Sequence, residues 1–494
     1  MQKSKIDRPY ESDALIVGAG IMGATLASIL KEIDSDLRVD IVEAHDSPAQ
    51  ESSEAYNNAG TGHAGYCELN YTPLLSNNKI DIEKAVQINS GFEISLQYWS
   101  YLTKKYRLFS PSKFIKRVPH ISLVNGDKSA AFLKKRYLAL KNNPLFSSIE
   151  FSSNYKTITK WIPLLKSKKS RKKYAATKVE IGTDINFGKI TFELISILNT
   201  KKNFYFHTNQ KAIDINKNED DSWSVKLNNG NKIKAKFIFI ACGGNSLKLL
   251  QKTKIYEQKS YAGFPINGQW LVCNNPKIVA LHKTKVYGKA EIGSPPMSMP
   301  HLDLRIIDGK KILMFGPFAS FTFKFLISGS FFDFISSIKF HNLKTLCIVF
   351  FKEWPLLIYL IKQNFKSHKS RIADLKQFFP NANAKDWHLK DAGIRVQIMK
   401  KPRNGSPKLE FGTEIIFSKN NNLAALLGAS PGASISVQSM IKVIEKCFLK
   451  KENSIAWKNK IKKMIPSYGK DLVKNPKLLK KIRSNNQQTL GIMV

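Results

Sequence analysis

Asp13-Ala14-Leu15-Ile16-Val17-Gly18-Ala19-Gly20-Ile21-Met22-Gly23 decides the fold: a short apolar run stops at a GxGxxG pattern, and the helical periodicity of Ile21 to Leu30 follows without a linker. A second β-rich run, Val39 to Glu43, completes a strand, Gly-rich turn, helix, strand unit within 43 residues. In such a unit Gly18 permits the tight turn, Gly20 lets the backbone approach a pyrophosphate, and Gly23 allows close helix packing, while the helix N-terminus faces the negative charge. Glu43, twenty residues past Gly23, is placed to accept ribose hydroxyls. A carboxylate there disfavours a 2′-phosphate, which leaves FAD or NAD rather than NADP.

Outward from that unit, Glu51 to Gly65 is too long and too glycine-dense for an ordinary connector and reads as a loop pressed against a ligand. Ser52, Ser53, Asn58, Gly60, Thr61 and Gly62 offer hydroxyls and freed amides suited to a cofactor's pyrophosphate, ribityl chain or ring. His63 suits either a flavin-facing role or a hydrogen-bonded loop position. A dinucleotide bound so early, with no second Rossmann half following, favours FAD over NAD. The strand Phe237 to Ala241 ends in Cys242-Gly243-Gly244, and Leu423 to Leu427 runs into Gly428, Ser430, Gly432, Ala433 and Ser434 ahead of a helix from Ile435 to Phe448. Three glycine-rich strand ends are thus expected to converge on one ligand, the last directing a helix N-terminus at the flavin N1 and O2 locus, where an ordinary helix cap is the alternative. The pattern implies an α/β chain: a discontinuous Rossmann-like FAD-binding domain (1–80, 175–260 and 390–450), an antiparallel-sheet substrate domain (81–174 and 261–389), and a basic C-terminal extension (451–494).

The formal net charge of +40 would suggest nucleic acid, anionic lipid or acidic substrates, but 67 of the 78 basic residues are Lys and only 11 are Arg, scattered along the chain. Base-reading sites lean on Arg forks and stacked aromatics, so no nucleic-acid partner is expected. The five cysteines show neither CxxC pairs nor metal-ligand spacing, so no metal site is expected, electrons must travel on an organic cofactor, and a reducing compartment is implied. Met1 to Ser12 lacks the apolar core of a secretory signal, which predicts a protein that begins inside the cell. Phe321 to Phe365 is strongly apolar, yet Lys and acidic residues interrupt it too often for a spanning helix. Two readings stay open for it: a pair of buried helices capping the substrate domain, or an interfacial surface where Phe331-Phe332 and Phe350-Phe351 rest on a bilayer.

Beyond these patterns, NNAGTGH and ELNYTP (57–63, 68–73), EIGTDINFG (180–188), YAGFP (261–265), PPMSMPHLDLR (295–305), FGPFA (315–319), AGIRVQI (392–398), LLGASPGAS (426–434) and IPSYG (465–469) together resemble malate:quinone oxidoreductases, relatives of the D-amino-acid-oxidase-like flavoproteins. The resemblance runs from about Asp13 to Gly469. Departures are few: Gly23 where relatives often have Ser, Gly65-Tyr66 in a stretch usually richer in alanine, and Ile435-Ser436 for a Thr-containing pair. It implies oxidation of L-malate to oxaloacetate at FAD, with ubiquinone or menaquinone as acceptor at the cytoplasmic face of the cell membrane and peripheral attachment there. Rival readings are a dehydrogenase of another L-2-hydroxy acid such as 2-hydroxyglutarate, transfer of electrons to oxygen, or a flavin-binding membrane-surface protein without turnover.

Malate oxidation needs a base at the C2 hydroxyl and cations on two carboxylates. His301 is the expected base, with a structural turn histidine as the alternative. Arg305 and Arg395 are expected on the substrate carboxylates or the flavin C2 carbonyl locus, unless they form surface ion pairs, and Lys324 is a weaker third cation. Thr183, Asp184 and Asn186 suit either orientation of the reacting groups or capping of the helix that follows.

Overall fold

Runs such as Phe237 to Ile240 and Leu423 to Leu427 are apolar on both faces, so they are stable only in a sheet covered on both sides. The computed structural model describes residues 10–167, 172–289, 299–402, 404–428, 432–450 and 452–494. It contains that sheet, in the order β18 (Thr413–Phe417), β19 (Leu423–Gly428), β11 (Lys232–Ile240), β1 (Tyr10–Val17), β2 (Val39–Val42) and β8 (Phe204–His207). Strands β19, β11, β1, β2 and β8 run parallel, while β18 pairs antiparallel with β19. The hairpin β9 (Ala212–Lys217) and β10 (Trp223–Leu227) hangs from β11. On one face the helix Ile21–Ile33 packs against the helices Phe187–Leu198 and Ser436–Cys447. Its Leu26, Ile29, Leu30 and Ile33 are fully buried, worth about 1.5 to 3 kcal/mol each.

A second sheet has the order β17 (Lys408–Glu410), β16 (His388–Lys400), β12 (Ala262–Cys273), β15 (Lys310–Phe321), β14 (His301–Ile307), β13 (Lys285–Tyr287), β4 (His120–Asn125), β6 (Tyr174–Val179) and β5 (Glu150–Ser152). Every pairing in it is antiparallel except β13 with β4. A short ribbon, β3 (Ile115–Arg117) with β7 (Thr183–Ile185), bridges toward the 57–63 loop through the Thr61 and Asp184 pairing.

The sheets assign some segments differently from the sequence reading. Strands β6, β16 and β17 belong to the second sheet, although 175–179 and 390–410 were expected in the nucleotide domain. Conversely, the helix Glu83–Lys105, expected in the substrate domain, buries Ile88, Phe92 and Leu96 in the core of the first sheet's helical layer. Strand-forming runs are visible locally, whereas the partner of an edge strand is set by contacts hundreds of residues away. The expected basic extension is also part of the fold: helices Ser454–Met464 and Pro476–Leu490 bury Trp457, Ile461, Leu479 and Ile482 in that same core. Strands β3 and β4 are separated at Pro119, which has no amide hydrogen for a ladder.

Candidate active site

One cavity of about 900 Å³ lies between the two sheets, with Glu43 and Gly18 in its wall from the first sheet and His301 and Arg395 from the second. The first-sheet wall is built by the opening βαβ unit. Gly18 has φ +105, and a side chain there would overlap the Ala241 carbonyl, so only glycine lets β1 and β11 close at this point. The helix Ile21–Ile33 starts at Gly20 without a side-chain cap, and its Ile21 amide donates to Ser53 Oγ at 3.0 Å. Glu43 accepts from the Ala19 amide (2.8 Å) and the His45 amide (3.0 Å), fixing its carboxylate at the cavity wall. Ser52, Ser53, Gly20 and Gly243 line the next stretch. Gly23 stands behind it, pressed on the Gly18 carbonyl as expected of a packing glycine.

The 57–63 loop forms the middle wall with Asn58, Gly60, Thr61 and His63. Asn58 folds the loop on itself: its Oδ1 accepts from the Gly60 amide (2.9 Å), and its Nδ2 donates to the Glu54 carbonyl (2.7 Å). Gly60 has φ +56 and lies directly on the Arg305 guanidinium, a space no side chain could share. Ser434 ties this loop to the chain's far end, donating to the Thr61 carbonyl (3.1 Å) and accepting from the His63 amide (3.0 Å). Gly428, Gly432 and Ala433 line the wall beside it. Gly62 does not: it faces Thr183 and Phe92. Ser430 lies outside the described residues.

From the second sheet, β13 and β14 place Tyr287 opposite His301 and Lys285 opposite Asp303. The His301 ring stacks parallel on Tyr287 (centroids 4.2 Å, 3°) and edge-on to Trp270 (5.3 Å). Its Nδ1 pairs with Asp303 Oδ2 at 2.8 Å, so Nε2 is the atom left for a substrate. Burial opposes the Asp303 charge, but His301, Lys285 and Arg305 together hold its carboxyl down at about 2. Behind it runs a buried relay: Lys285 Nζ lies 3.7 Å from Asp303 and 2.9 Å from Asp184, whose Oδ1 is 2.7 Å from Arg305 Nε. Two buried cations balance two buried anions, which is what keeps such a cluster tolerable in a protein interior.

That relay corrects the expectation for Arg305. The guanidinium is fully buried and used up by Asp184 and the carbonyls of Ala55 (3.0 Å), Asn58 (2.5 Å) and Ile185 (3.4 Å). It is not on the cavity wall, and holds the 55–60 loop in place instead of a substrate. Lys324 is corrected likewise: it is off the wall, with its ammonium 5.2 Å over the Phe331 ring. Arg395 does face the cavity, braced by carbonyls of Asn57 (3.0 Å) and Ala392 (3.4 Å) and paired with no carboxylate among the described residues. Burial pushes its pKa down from the usual guanidinium range.

His63 lines the same space with Glu68 against its Nδ1. Burial opposes the Glu68 charge, yet His63, His120 and a backbone hydrogen bond together outweigh it and hold the carboxyl at about 2. Asn186 takes the capping role, its Oδ1 accepting from the Lys189 amide at 2.9 Å. Sequence reading missed Asp303, Lys285, Tyr287 and Glu68. Only Asp303 carried a local signal, since residues two apart on a strand share a face.

The cradle suits a flavin dinucleotide: a carboxylate for ribose, an uncapped helix N-terminus for pyrophosphate, glycine-backed walls, and an apolar end with polar groups for a reacting molecule. Among the described residues no cluster of His, Cys, Asp or Glu could hold a metal.

Comparison with known proteins agrees. The family model described as malate:quinone oxidoreductase matches residues 10–492. "Probable malate:quinone oxidoreductase" of Flavobacterium psychrophilum is 47% identical over 490 residues, covering 98% of this chain and 99% of that protein. The protein of the same name from Oceanobacillus iheyensis is 47% identical, covering 98% of this chain and 97% of the other. Among solved structures, L-alpha-glycerophosphate oxidase from Mycoplasma pneumoniae with FAD bound superposes with TM-score 0.58 at 18% identity, over 89% of this chain and 95% of that one. Glycine oxidase from Geobacillus kaustophilus gives 0.59 at 14% identity, over the same 89% and 95%. These two share the fold, and the sequence matches fix the lineage: the chain belongs to the malate:quinone oxidoreductase family.

Proposed function

We propose that the chain oxidises (S)-malate to oxaloacetate with FAD lying along the cavity, and that a membrane quinone, ubiquinone or menaquinone, receives the two electrons. The observation that carries the reading is the His301 and Asp303 pair and the Arg395 guanidinium opening into the same cavity as a nucleotide cradle. FAD, when bound, supplies the acceptor for the hydride that leaves the substrate's C2. The protein's share is geometric and protonic. Arg395 grips a substrate carboxylate through a charge-assisted pair, which orients C2. His301 Nε2 takes the C2 hydroxyl proton while Asp303, held ionised, fixes the ring through Nδ1 and offsets the positive charge that forms on it. The stacked Tyr287 and edge-on Trp270 keep the ring from turning and keep water away. Gly20, Glu43, Ser53, Gly60, Thr61, Gly428, Gly432, Ala433 and Ser434, which line the cavity, would hold the cofactor.

The acceptor is lipid-borne, so the protein works at a membrane, peripherally and at the cytoplasmic face of the cell membrane. Among the described residues no helix is long and apolar enough to cross one. Anaerobic addition of malate to the FAD-loaded protein tests the reaction: the absorption of oxidised flavin near ~450 nm should bleach. Faster bleaching by 2-hydroxyglutarate than by malate would replace the substrate, and no bleaching by either would leave a flavin-binding protein without turnover.

A further inference from the structure

The stretch 332–364, which sequence patterning left between two readings, folds into the helices Phe332–Ser337, Phe340–Lys352 and Trp354–Asn364. Each is apolar on two faces. The inner face packs on the second sheet: Val349, Leu356, Leu357 and Leu360 are buried with Phe264, Ile266 and Ala319. The outer face carries a second stripe. On the middle helix Phe340, Leu343, Cys347 and Phe351 follow the i, i+3, i+7, i+11 spacing of one helix face, and all are exposed. On the last helix Trp354, Ile358, Ile361 and the flanking Phe365 follow the i, i+4, i+7, i+11 spacing, also that of one face, and are exposed. Phe331, Phe332 and Ile335 extend the surface from the first helix.

Phe340 is 97% exposed, Phe365 84%, Phe351 81% and Phe332 72%. Rings of roughly 150 to 250 Å² each, with their aliphatic neighbours, exceed the roughly 300 to 600 Å² of the largest apolar patch on an ordinary monomer. Such a surface is stable in water only when another apolar phase covers it part of the time. Charge identifies that phase. Residues 321–366 hold six lysines, Lys324, Lys339, Lys344, Lys352, Lys362 and Lys366, and two acids. Of the acids, Asp333 is buried on Lys248 and Glu353 is half-buried. Two copies of the face would bring like charges together, whereas anionic phosphates match lysines ringing aromatics. The patch also begins at the cavity rim: Leu326 lines the cavity, and the amides of Ile327 and Ser328 donate to Glu51, another wall residue (3.0 and 3.1 Å).

We propose that the outward faces of these three helices are the membrane-docking surface, seating their aromatic stripes in an anionic bilayer so that the cavity rim near Leu326 meets the lipid phase. The proposal rests on the reading of a lipid-borne electron acceptor and names the surface that reaches it. The FAD-loaded protein and the exposed-site variant Phe340→Glu/Phe351→Glu are sedimented with phosphatidylcholine vesicles containing or lacking phosphatidylglycerol. Malate-to-dye activity is followed in parallel. Binding is expected to favour the anionic vesicles and to weaken by about tenfold or more in the variant, with dye activity and flavin content retained. A variant that binds as the native protein does overturns the proposal. So does native protein that ignores vesicles but dissociates from dimer to monomer on substitution, which would make the face a self-association surface. Equal binding to both vesicle types would refute the role of the lysines. Vesicle binding without malate turnover would sink the proposed reaction and leave the docking surface standing.

Discussion

Arg305→Met separates a structural guanidinium from a substrate clamp. Methionine fills most of the stem's volume but removes the charge and the donors to Asp184 and to the carbonyls of Ala55, Asn58 and Ile185. Asp184 keeps Lys285 at 2.9 Å and the Ile306 amide at 2.8 Å, so the cost falls toward the lower end of the about 3 to 5 kcal/mol for breaking a buried ion pair from one side. At about 2.1 cal/mol/K per residue the 494 residues melt with an entropy of roughly 1 kcal/mol/K, so Tm should fall by about 3 °C. The loop 55–60 loses its anchor as well, and FAD should be retained more weakly. Thermal melts followed by tryptophan and flavin fluorescence, with dye-coupled malate kinetics at saturating FAD, read these effects apart. KM for malate on the FAD-replete protein should change by no more than about threefold. An unchanged Tm with full flavin and a KM raised about 100-fold would put Arg305 on the substrate and refute the argument.

Arg395→Gln should behave in the opposite way: Tm close to native, and KM for malate raised about 10- to 100-fold, the worth of a lost charge-assisted pair; an unaltered KM would remove Arg395 from the substrate. His301→Gln should slow malate-driven bleaching by about 10² to 10⁴-fold with FAD still bound, and Asp303→Asn should lower kcat by about tenfold or more with KM little changed; bleaching at the native rate in His301→Gln would move the base elsewhere, His63 being next. Stability should fall in acid in a defined window. Asp303 and Glu68 are each held at about 2, below their ordinary 3.8 and 4.5, so their contribution is complete above about pH 5 and is lost as pH falls toward 2. At about 1.4 kcal/mol per unit that is about 2 kcal/mol from Asp303 and about 3 from Glu68. Melts from pH 6 to pH 3 should decline less steeply in Asp303→Asn than in the native protein, and equal slopes would contradict the assignment.

What the sequence disclosed was what is encoded locally. Gly18, Gly20, Gly23 and Glu43 are fixed by one tight βαβ unit, so their spacing alone gives their positions at the cavity's edge. His301 stands on the cavity wall, where its segment pointed, and Asp303 could have been placed beside it, two positions along the same strand. Lys285 was invisible for a compositional reason: among 67 lysines nothing marks the one whose ammonium is buried between two aspartates. Arg305 was misread because a rare arginine in a motif looks alike whether it faces a ligand or props the wall behind it. Only the approach of the 55–60 loop, some 250 positions earlier in the chain, decides between them.

The bond between His63 and Ser434 joins positions 371 apart. While the chain is being synthesised, the wall that carries Thr61 and His63 lacks its adjoining part until the segment around Ser434 has left the ribosome. The early βαβ unit can therefore fold long before the pocket exists, and the yellow colour of the finished enzyme has to be acquired after translation is nearly over. Truncation anywhere before that serine should yield a colourless product, however well its first sheet is formed.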